Sequence, residues 1–159
     1  MPKVTFVKSA RKADERYGIA VGDSYYWWAF RYGGTHKSKT PPKPSQLTQS
    51  DFLSQIYAFQ ESPIEAESFD DLQSAVDDRI SELEQLRDEC EEKRSNMPDQ
   101  LQDSGSGLTL QNRYDSLDEM INDLQAIDLE DNEEWSDEER EQELQNKLEE
   151  LNDVSYNGE

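Results

Sequence analysis

Histidine and cysteine are almost absent from this chain of 159 residues, since His36 and Cys90 are the only ones of their kinds. A single cysteine cannot form a disulfide within the chain, and one Cys with one His cannot make a zinc site. There is also no glycine-rich phosphate loop followed by Lys-Ser or Lys-Thr. The abundant carboxylates fall on predicted helix surfaces, where they would stay ionised rather than act as general acids. We therefore expect no enzyme, no cofactor and no metal site.

Long apolar runs are missing as well. Hydrophobic residues make up 33% of the chain and charged residues another 33%, whereas average soluble domains are about 45–50% apolar and about 25% charged. No stretch is apolar enough to span a bilayer, and the N-terminus lacks the apolar segment of a secretory signal. We expect an intracellular protein with no membrane association, built from a small core and an extended helical region.

Positive charge is scarce after the first fifty residues. Residues 1–50 contain nine Lys or Arg and three Asp or Glu, a net charge of +6, whereas residues 51–159 contain seven and 34, a net charge of -27. Eleven of the fifteen aromatic residues precede residue 61. This division indicates two regions with different roles. We predict a module over residues 1–62, a linker over 63–67 and an acidic helical region over 68–159.

The first region has the pattern of a small α+β module. Short β-rich runs predict three antiparallel strands over 3–7, 25–32 and 35–40, with Gly33-Gly34 as a two-residue hairpin turn. The proline-rich run 41–44 ends the sheet. Apolar residues at helical spacing then predict one helix, which begins between Ser45 and Ser50 and ends near Pro63. Its core should join strand aromatics to Phe52, Ile56 and Phe59.

The second region predicts an all-α arm with the character of a helical hairpin or coiled coil. Helices are expected over about 68–96, 110–128 and 136–153, with a flexible connector over 97–109 that includes Ser-Gly-Ser-Gly. Ser136 and Glu139 have the spacing of a capping box. The apolar stripes are narrow, so the helices must pair either with each other or with a second copy of the chain. The predicted stripes are Leu72, Val76, Ile80, Leu83, Leu86 and Cys90; Leu110, Leu117, Met120, Ile121, Leu124 and Ile127; and Leu144, Leu148 and Leu151.

A two-residue turn would place Trp28 opposite Lys39 and Phe30 opposite Lys37. Six aromatics among eight successive residues exceed what one small face can bury, so one sheet face should pack on the helix and the other should be free. Aromatic rings interleaved with cations suit nucleic acid, because rings stack on bases and cations meet phosphates. The candidate nucleic-acid-binding residues are Tyr25, Trp27, Trp28, Arg31, Lys37, Lys39 and Lys43.

Two family resemblances lie in this stretch. Between Tyr25 and Phe59, an aromatic-Arg-aromatic-Gly-Gly turn, a return strand rich in Lys, Ser and Thr, and a helix resemble the arm-type DNA-binding domain of tyrosine recombinases. No recombinase catalytic domain follows. More closely, the run GDSYYWWAFRYGG…KSKTPPKPSQLTQSDF and the acidic tail resemble a group of small uncharacterised proteins of tailed bacteriophages. That resemblance implies a phage origin and action in the cytoplasm of the host cell.

These patterns predict a binding protein. The leading hypothesis is nucleic-acid binding through the sheet, with the acidic helices engaging protein partners or regulating the module by competition. One alternative is an acidic DNA mimic or protein-directed inhibitor of a basic host DNA-binding or defence protein. Another is a scaffold that forms a homodimer through the helices. The simplest alternatives are that both sheet faces are buried, one under the first helix and the other under the acidic arm, and that the charge of the acidic helices is only solvated surface.

Overall fold

The computed structural model describes residues 1–158, and the chain divides into two compact units. Unit 1 is Met1–Ser62 and unit 2 is Pro63–Glu159. The α+β class is confirmed, with a three-stranded antiparallel sheet near the N-terminus and a helical region after it. None of the helices within residues 1–158 is long and apolar enough to cross a bilayer.

The sheet of unit 1 has the strand order β1-β2-β3, so both connections join neighbouring strands. All three strands are shorter than predicted, because residues at their ends turn into loops. A short 3-10 turn over Pro44–Leu47 precedes the helix, whose N-cap Ser50 accepts a hydrogen bond from the backbone N–H of Leu53. The elements are β1 (Thr5–Val7), β2 (Tyr25–Ala29), β3 (Thr35–Ser38) and α1 (Asp51–Glu61).

The predicted hairpin register is wrong. In the structure Trp28 lies opposite His36 and Trp27 lies opposite Lys37, a shift of three residues from the predicted pairs. A two-residue primed turn requires positive φ, yet the positive-φ glycines among residues 1–158 are Gly18 and Gly22. The chain instead leaves β2 after Ala29 and turns over residues 30–34. An odd shift in register exchanges the two faces of the return strand, so Lys37 shares a face with Trp27 rather than with Trp28.

The core of unit 1 draws its buried residues from β2, from α1 and from the loop that joins β1 to β2. Trp28, Phe52 and Ile56 are buried, whereas Phe59 keeps some exposure. Two further core residues, Ala10 and Ile19, come from the loop that joins β1 to β2. This loop closes on itself, since Ala10 N–H donates to the carbonyl of Asp23 at 2.7 Å and Gly22 N–H donates to that of Ala10 at 2.9 Å.

Unit 2 is built on an antiparallel helical hairpin. Arg87 in the first long helix contacts Asp118 in the second at 2.9 Å. The predicted seam residues Leu72, Leu83 and Leu117 are completely buried, and most of the other stripe positions are buried with them. The helices are α2 (Phe69–Ser95), α3 (Asp99–Gln102), α4 (Gly105–Ala126) and α5 (Asp137–Asp153).

The connector predicted over residues 97–109 is helical for most of its length. It contains α3, and α4 begins at Gly105, five residues before the predicted start. Gly107 is buried in the first turn of α4, and a Cβ there would collide with the backbone carbonyl of Gln102. The Ser-Gly-Ser-Gly stretch therefore allows close packing of two helices rather than chain flexibility.

The third long helix, α5, packs within unit 2. The predicted capping box is confirmed: the backbone N–H of Glu139 donates to Ser136 Oγ at 3.3 Å, and the Glu139 carboxylate accepts from the Ser136 backbone N–H at 2.9 Å. The Asn152 side chain accepts from Ile64 N–H at 2.7 Å and donates to the Ile64 carbonyl at 3.0 Å. Within residues 63–67, predicted as a linker, Ile64 is therefore held against α5 and is only 7% exposed.

Candidate nucleic-acid interface

Trp28 belongs to the core of unit 1 and not to its surface. Its side chain is 3% exposed, and its indole Nε1–H donates to the Gln46 carbonyl at 3.2 Å. On the same face, the indole stacks on His36 with ring centroids 5.7 Å apart. A base could stack on Trp28 only if this packing opened, so Trp28 leaves the candidate set.

The opposite sheet face carries Tyr25, Trp27 and Lys37, three of the predicted residues. Residues directly opposite one another in an antiparallel pair share a face, and Trp27 pairs with Lys37 in the β2–β3 register. The Lys37 ammonium lies 5.6 Å from the Tyr25 ring centroid. Thus two of the predicted aromatics and one cation do come together.

This second face is partly covered by the loop between β1 and β2. Lys37 Nζ donates to Asp14 Oδ2 at 2.6 Å, and this hydrogen bond raises the pKa of Lys37. The Tyr17 hydroxyl of the same loop donates to the backbone carbonyl of Thr35 at 2.8 Å. Neither of the two predicted arrangements, one free face or cover by the acidic arm, anticipated a cover from within unit 1.

The two other predicted lysines also face acidic partners. Lys39 Nζ lies 2.8 Å from Asp23, and this hydrogen bond lowers the pKa of Asp23 with help from the Ala20 backbone N–H. Lys43 Nζ lies 3.9 Å from Glu61. These ion pairs are at least partly exposed and contribute little stability. They nevertheless reduce the positive charge that β3 and the following turn offer to a phosphate.

Arg31 differs from the predicted lysines because it makes no ion pair among residues 1–158. It is exposed, and its guanidinium lies 5.3 Å from the ring centroid of Tyr32, which is 85% exposed. Beside it, a groove of about 490 Å³ is lined in part by Phe30, Leu53 and Tyr57. An exposed cation and ring next to an apolar groove are suited to a phosphate and its base.

The sequence interpretation missed a group of cations on the loop after β1. Lys8, Arg11, Lys12 and Arg16, here called the basic loop, are all exposed and form no ion pair within the described part of the chain. The Arg16 guanidinium lies 5.4 Å from the Tyr17 ring centroid. The backbone bonds of Ala10 hold the ends of this loop together. Four cations within nine residues of the sequence could have indicated this site. The prediction placed the site on β2 instead, because it was based on the aromatic run.

The cations of unit 2 are largely neutralised by its own carboxylates. Arg87 meets Asp118 and Asp88, Lys93 meets Glu89 at 2.9 Å, and Arg140 meets Asp131 at 2.9 Å. Burial opposes the charge of Arg87, but its hydrogen bonds to the two aspartates outweigh that effect and raise its pKa. Residues 63–159 contain 32 Asp or Glu and seven Lys or Arg, so the remaining carboxylates dominate this surface.

Metal-ligating side chains are not clustered in the described part of the chain. No group of three or more His, Cys, Asp or Glu side chains within 1–158 is placed to hold a metal ion. Cys90 is buried on the α2 seam, and burial raises the pKa of its thiol. A thiol in that setting acts as a small core residue rather than as a nucleophile.

No protein-family model, no curated protein and no solved structure matches this chain.

Proposed function

We propose that the chain is a non-enzymatic accessory protein that binds nucleic acid through unit 1. One observation carries the proposal: the basic loop and Arg31 keep their charges free, while Lys37, Lys39 and Lys43 are engaged by carboxylates of the same unit. Cations without an internal partner can release counterions from a phosphate backbone. The interface thus lies on the basic loop and beside Arg31 rather than along β3.

Contacts of this kind bind the phosphate backbone of the nucleic acid and provide affinity with little preference for base sequence. Two further rings, the exposed Tyr32 beside Arg31 and the half-buried Trp27 on the sheet, add stacking that tolerates any base. The resemblance of residues 22–52 to small phage proteins supports a phage origin and action in the cytoplasm of the host cell. The acidic unit 2 then serves protein partners, or competes with nucleic acid for unit 1.

The test compares two triple variants that remove equal charge from the full chain. The variant K8A/R11A/K12A removes cations of the basic loop, and the matched control K37A/K39A/K43A removes the ion-paired lysines. Binding to a labelled duplex and a labelled single strand is measured by fluorescence anisotropy over a series of salt concentrations. Circular dichroism confirms that both variants remain folded.

We expect the basic-loop variant to bind much more weakly than the parent chain. Its log K should also fall less steeply with log salt, with a slope smaller in magnitude by about 2 to 3, because each lost cation removes one phosphate contact. The control should retain most of its affinity. Equal losses in the two variants would mean that net charge alone attracts nucleic acid. Absence of binding by the parent chain at low salt would refute the proposal.

A second candidate is a protein-directed DNA mimic, favoured by the ion pairs of Arg87, Lys93, Arg140 and Lys147 and by the large surplus of carboxylates in unit 2. Closely spaced carboxylates on paired helices resemble a phosphate backbone in charge density. On this proposal the chain releases labelled duplex from a purified basic DNA-binding protein, and salt suppresses the release. Loss of the effect in K8A/R11A/K12A would assign the competition to unit 1 and contradict mimicry.

A further inference from the structure

Unit 2 contains an open groove between α2 and the C-terminal end of α4. Its volume is about 680 Å³, and its floor is formed by Val76, Ile80, Leu124, Ile127 and Leu129. Val76 and Leu124 belong to the hairpin core, but the other three retain partial exposure to solvent. When a partner covers apolar side chains that line a groove and contact water, the free energy of the system falls.

The rim of the groove is acidic. Asp77 and Glu84 come from α2, and Asp128 and Glu130 come from the segment after α4. No ion pair within residues 1–158 includes any of these four carboxylates, and none of the residues lining the groove is Lys or Arg. Elsewhere in unit 2, Asp118 and Asp131 have arginine partners. The groove therefore combines an apolar floor with unneutralised negative charge at its edges.

Its length fits a helix. The lining residues on α2 run from Gln73 to Glu84, which at about 1.5 Å per residue is roughly 16 Å, or three helical turns. A third helix laid against a two-helix groove buries one apolar stripe while its flanks stay at the rim. A nucleic acid would meet carboxylates instead of cations there. A second copy of α2 would bring like charges, since residues 63–159 have 32 acidic and seven basic residues.

We propose that this groove is the docking site for a basic amphipathic helix of a protein partner. Leu or Ile side chains at helical spacing would cover the floor formed by Ile80, Ile127 and Leu129. Lys or Arg side chains on the flanks would meet the rim carboxylates of α2 and of residues 128–130. The inference concerns unit 2 alone and does not depend on nucleic-acid binding by unit 1.

The probe is a fluorescein-labelled Leu/Lys peptide of about fourteen residues, roughly four turns, with Leu at i, i+3, i+4 and i+7. Two control peptides accompany it, one with the same composition in strict alternation and one with Glu in place of Lys. Anisotropy titrations use the full chain in moderate salt. The groove variant is D77K/E84K, and its matched control is D78K/E82K, which alters exposed α2 residues outside the groove by the same charge.

We expect the Leu/Lys helix to bind, and both control peptides to bind at least about tenfold more weakly. D77K/E84K should weaken binding about tenfold, and D78K/E82K less than about threefold. Equal weakening by both variants would show general attraction to the acidic surface and overturn the proposal. So would equal binding of the alternating peptide, or no binding of the Leu/Lys helix. A dimer of the parent chain that D77K/E84K dissociates in ultracentrifugation would assign the groove to a second copy instead.

Discussion

The two units bury their apolar residues and place their charges in different ways. Among residues 1–158, unit 1 contributes five of the eighteen buried apolar residues, and unit 2 contributes the other thirteen. In unit 1, three of its five acidic residues (Asp14, Asp23 and Glu61) hold a lysine. In unit 2 at least four of the seven cations (Arg87, Lys93, Arg140 and Lys147) form ion pairs, and most carboxylates remain in water. Free charge, and not total charge, therefore marks the surface that each unit offers to a partner.

The largest effect is expected in the small core of unit 1. Replacing Trp28 by Ala removes the largest buried side chain there and should cost about 3–5 kcal/mol of folding free energy. Trp27→Ala is the control, because Trp27 is only half-buried and should cost clearly less. Residue-resolved hydrogen exchange measures the loss of folding free energy in each variant. Equal losses would contradict the assignment of Trp28 to the core.

In unit 2 the corresponding change is Leu117→Ala in α4. Leu117 is 0% exposed, so the variant should lose about 2–5 kcal/mol on denaturant unfolding. The matched control is Leu108→Ala on the same helix, where the side chain is 52% exposed and the loss should be under about 0.5 kcal/mol. If exchange protection falls equally in both units after Leu117→Ala, the two units unfold together rather than separately.

A smaller effect is expected where α5 holds the segment before α2. Asn152→Ala removes two hydrogen bonds to the backbone of Ile64 and should cost about 1–3 kcal/mol, since the freed polar groups are partly buried. Asn152→Asp retains an acceptor for the Ile64 N–H and should cost less. The amide of Ile64 should exchange faster in the Ala variant. Unchanged protection of that amide would show that α5 is held by other contacts.

The smallest expected effects on stability are those of pH. Acid should affect both units, whereas alkali should affect unit 1. The pKa of Glu139 in unit 2 is lowered by the Ser136 backbone N–H, and that of Asp23 in unit 1 by Lys39. Each contribution is present above the ordinary carboxyl pKa and is lost as pH falls through the lowered value. The pKa of Lys37 is raised by Asp14, so its contribution is present below the ordinary lysine pKa and is lost as pH rises through the raised value.

Side-chain NMR titration measures these three pKa values directly. Acid should therefore loosen both units slightly, while alkali should weaken the contact between Lys37 and Asp14 in unit 1. Glu139→Gln is the control for acid, because Gln also completes a capping box but does not titrate. A carboxyl of Glu139 that titrates at its ordinary pKa would contradict the capping geometry.

The helical seam could be predicted because it depends on spacing alone. Leu72, Val76, Leu83, Leu86 and Cys90 recur at helical intervals, and each is buried. The capping box of α5 is equally local, since Ser136 and Glu139 bond to each other's backbone. The prediction of a flexible connector over residues 97–109 was wrong because of the role of Gly107. Glycine at that position allows close packing against Gln102, a contact that composition does not reveal.

The candidate site was harder to predict, because it depended on one strand register. A shift of three residues placed Lys37 with Trp27 and His36 with Trp28. Loop closure at Ala10 then brought Asp14 to Lys37 and left the basic loop exposed. Of the seven predicted residues, Trp28 is core and three lysines are paired. Arg31 is exposed, whereas Tyr25 and Trp27 are half-buried, and nucleic-acid binding by these three residues stays a prediction.

The sequence by itself determined the separation of positive and negative charge, the α+β class, the hairpin seam and the helix cap. Each of these follows from composition or from residues a few positions apart. Only the tertiary structure decided which sheet face is buried, which lysines are neutralised and where an acidic rim surrounds an apolar floor. These features depend on residues far apart in the chain, and the interactions that bring them together are set by register, loop closure and helix packing.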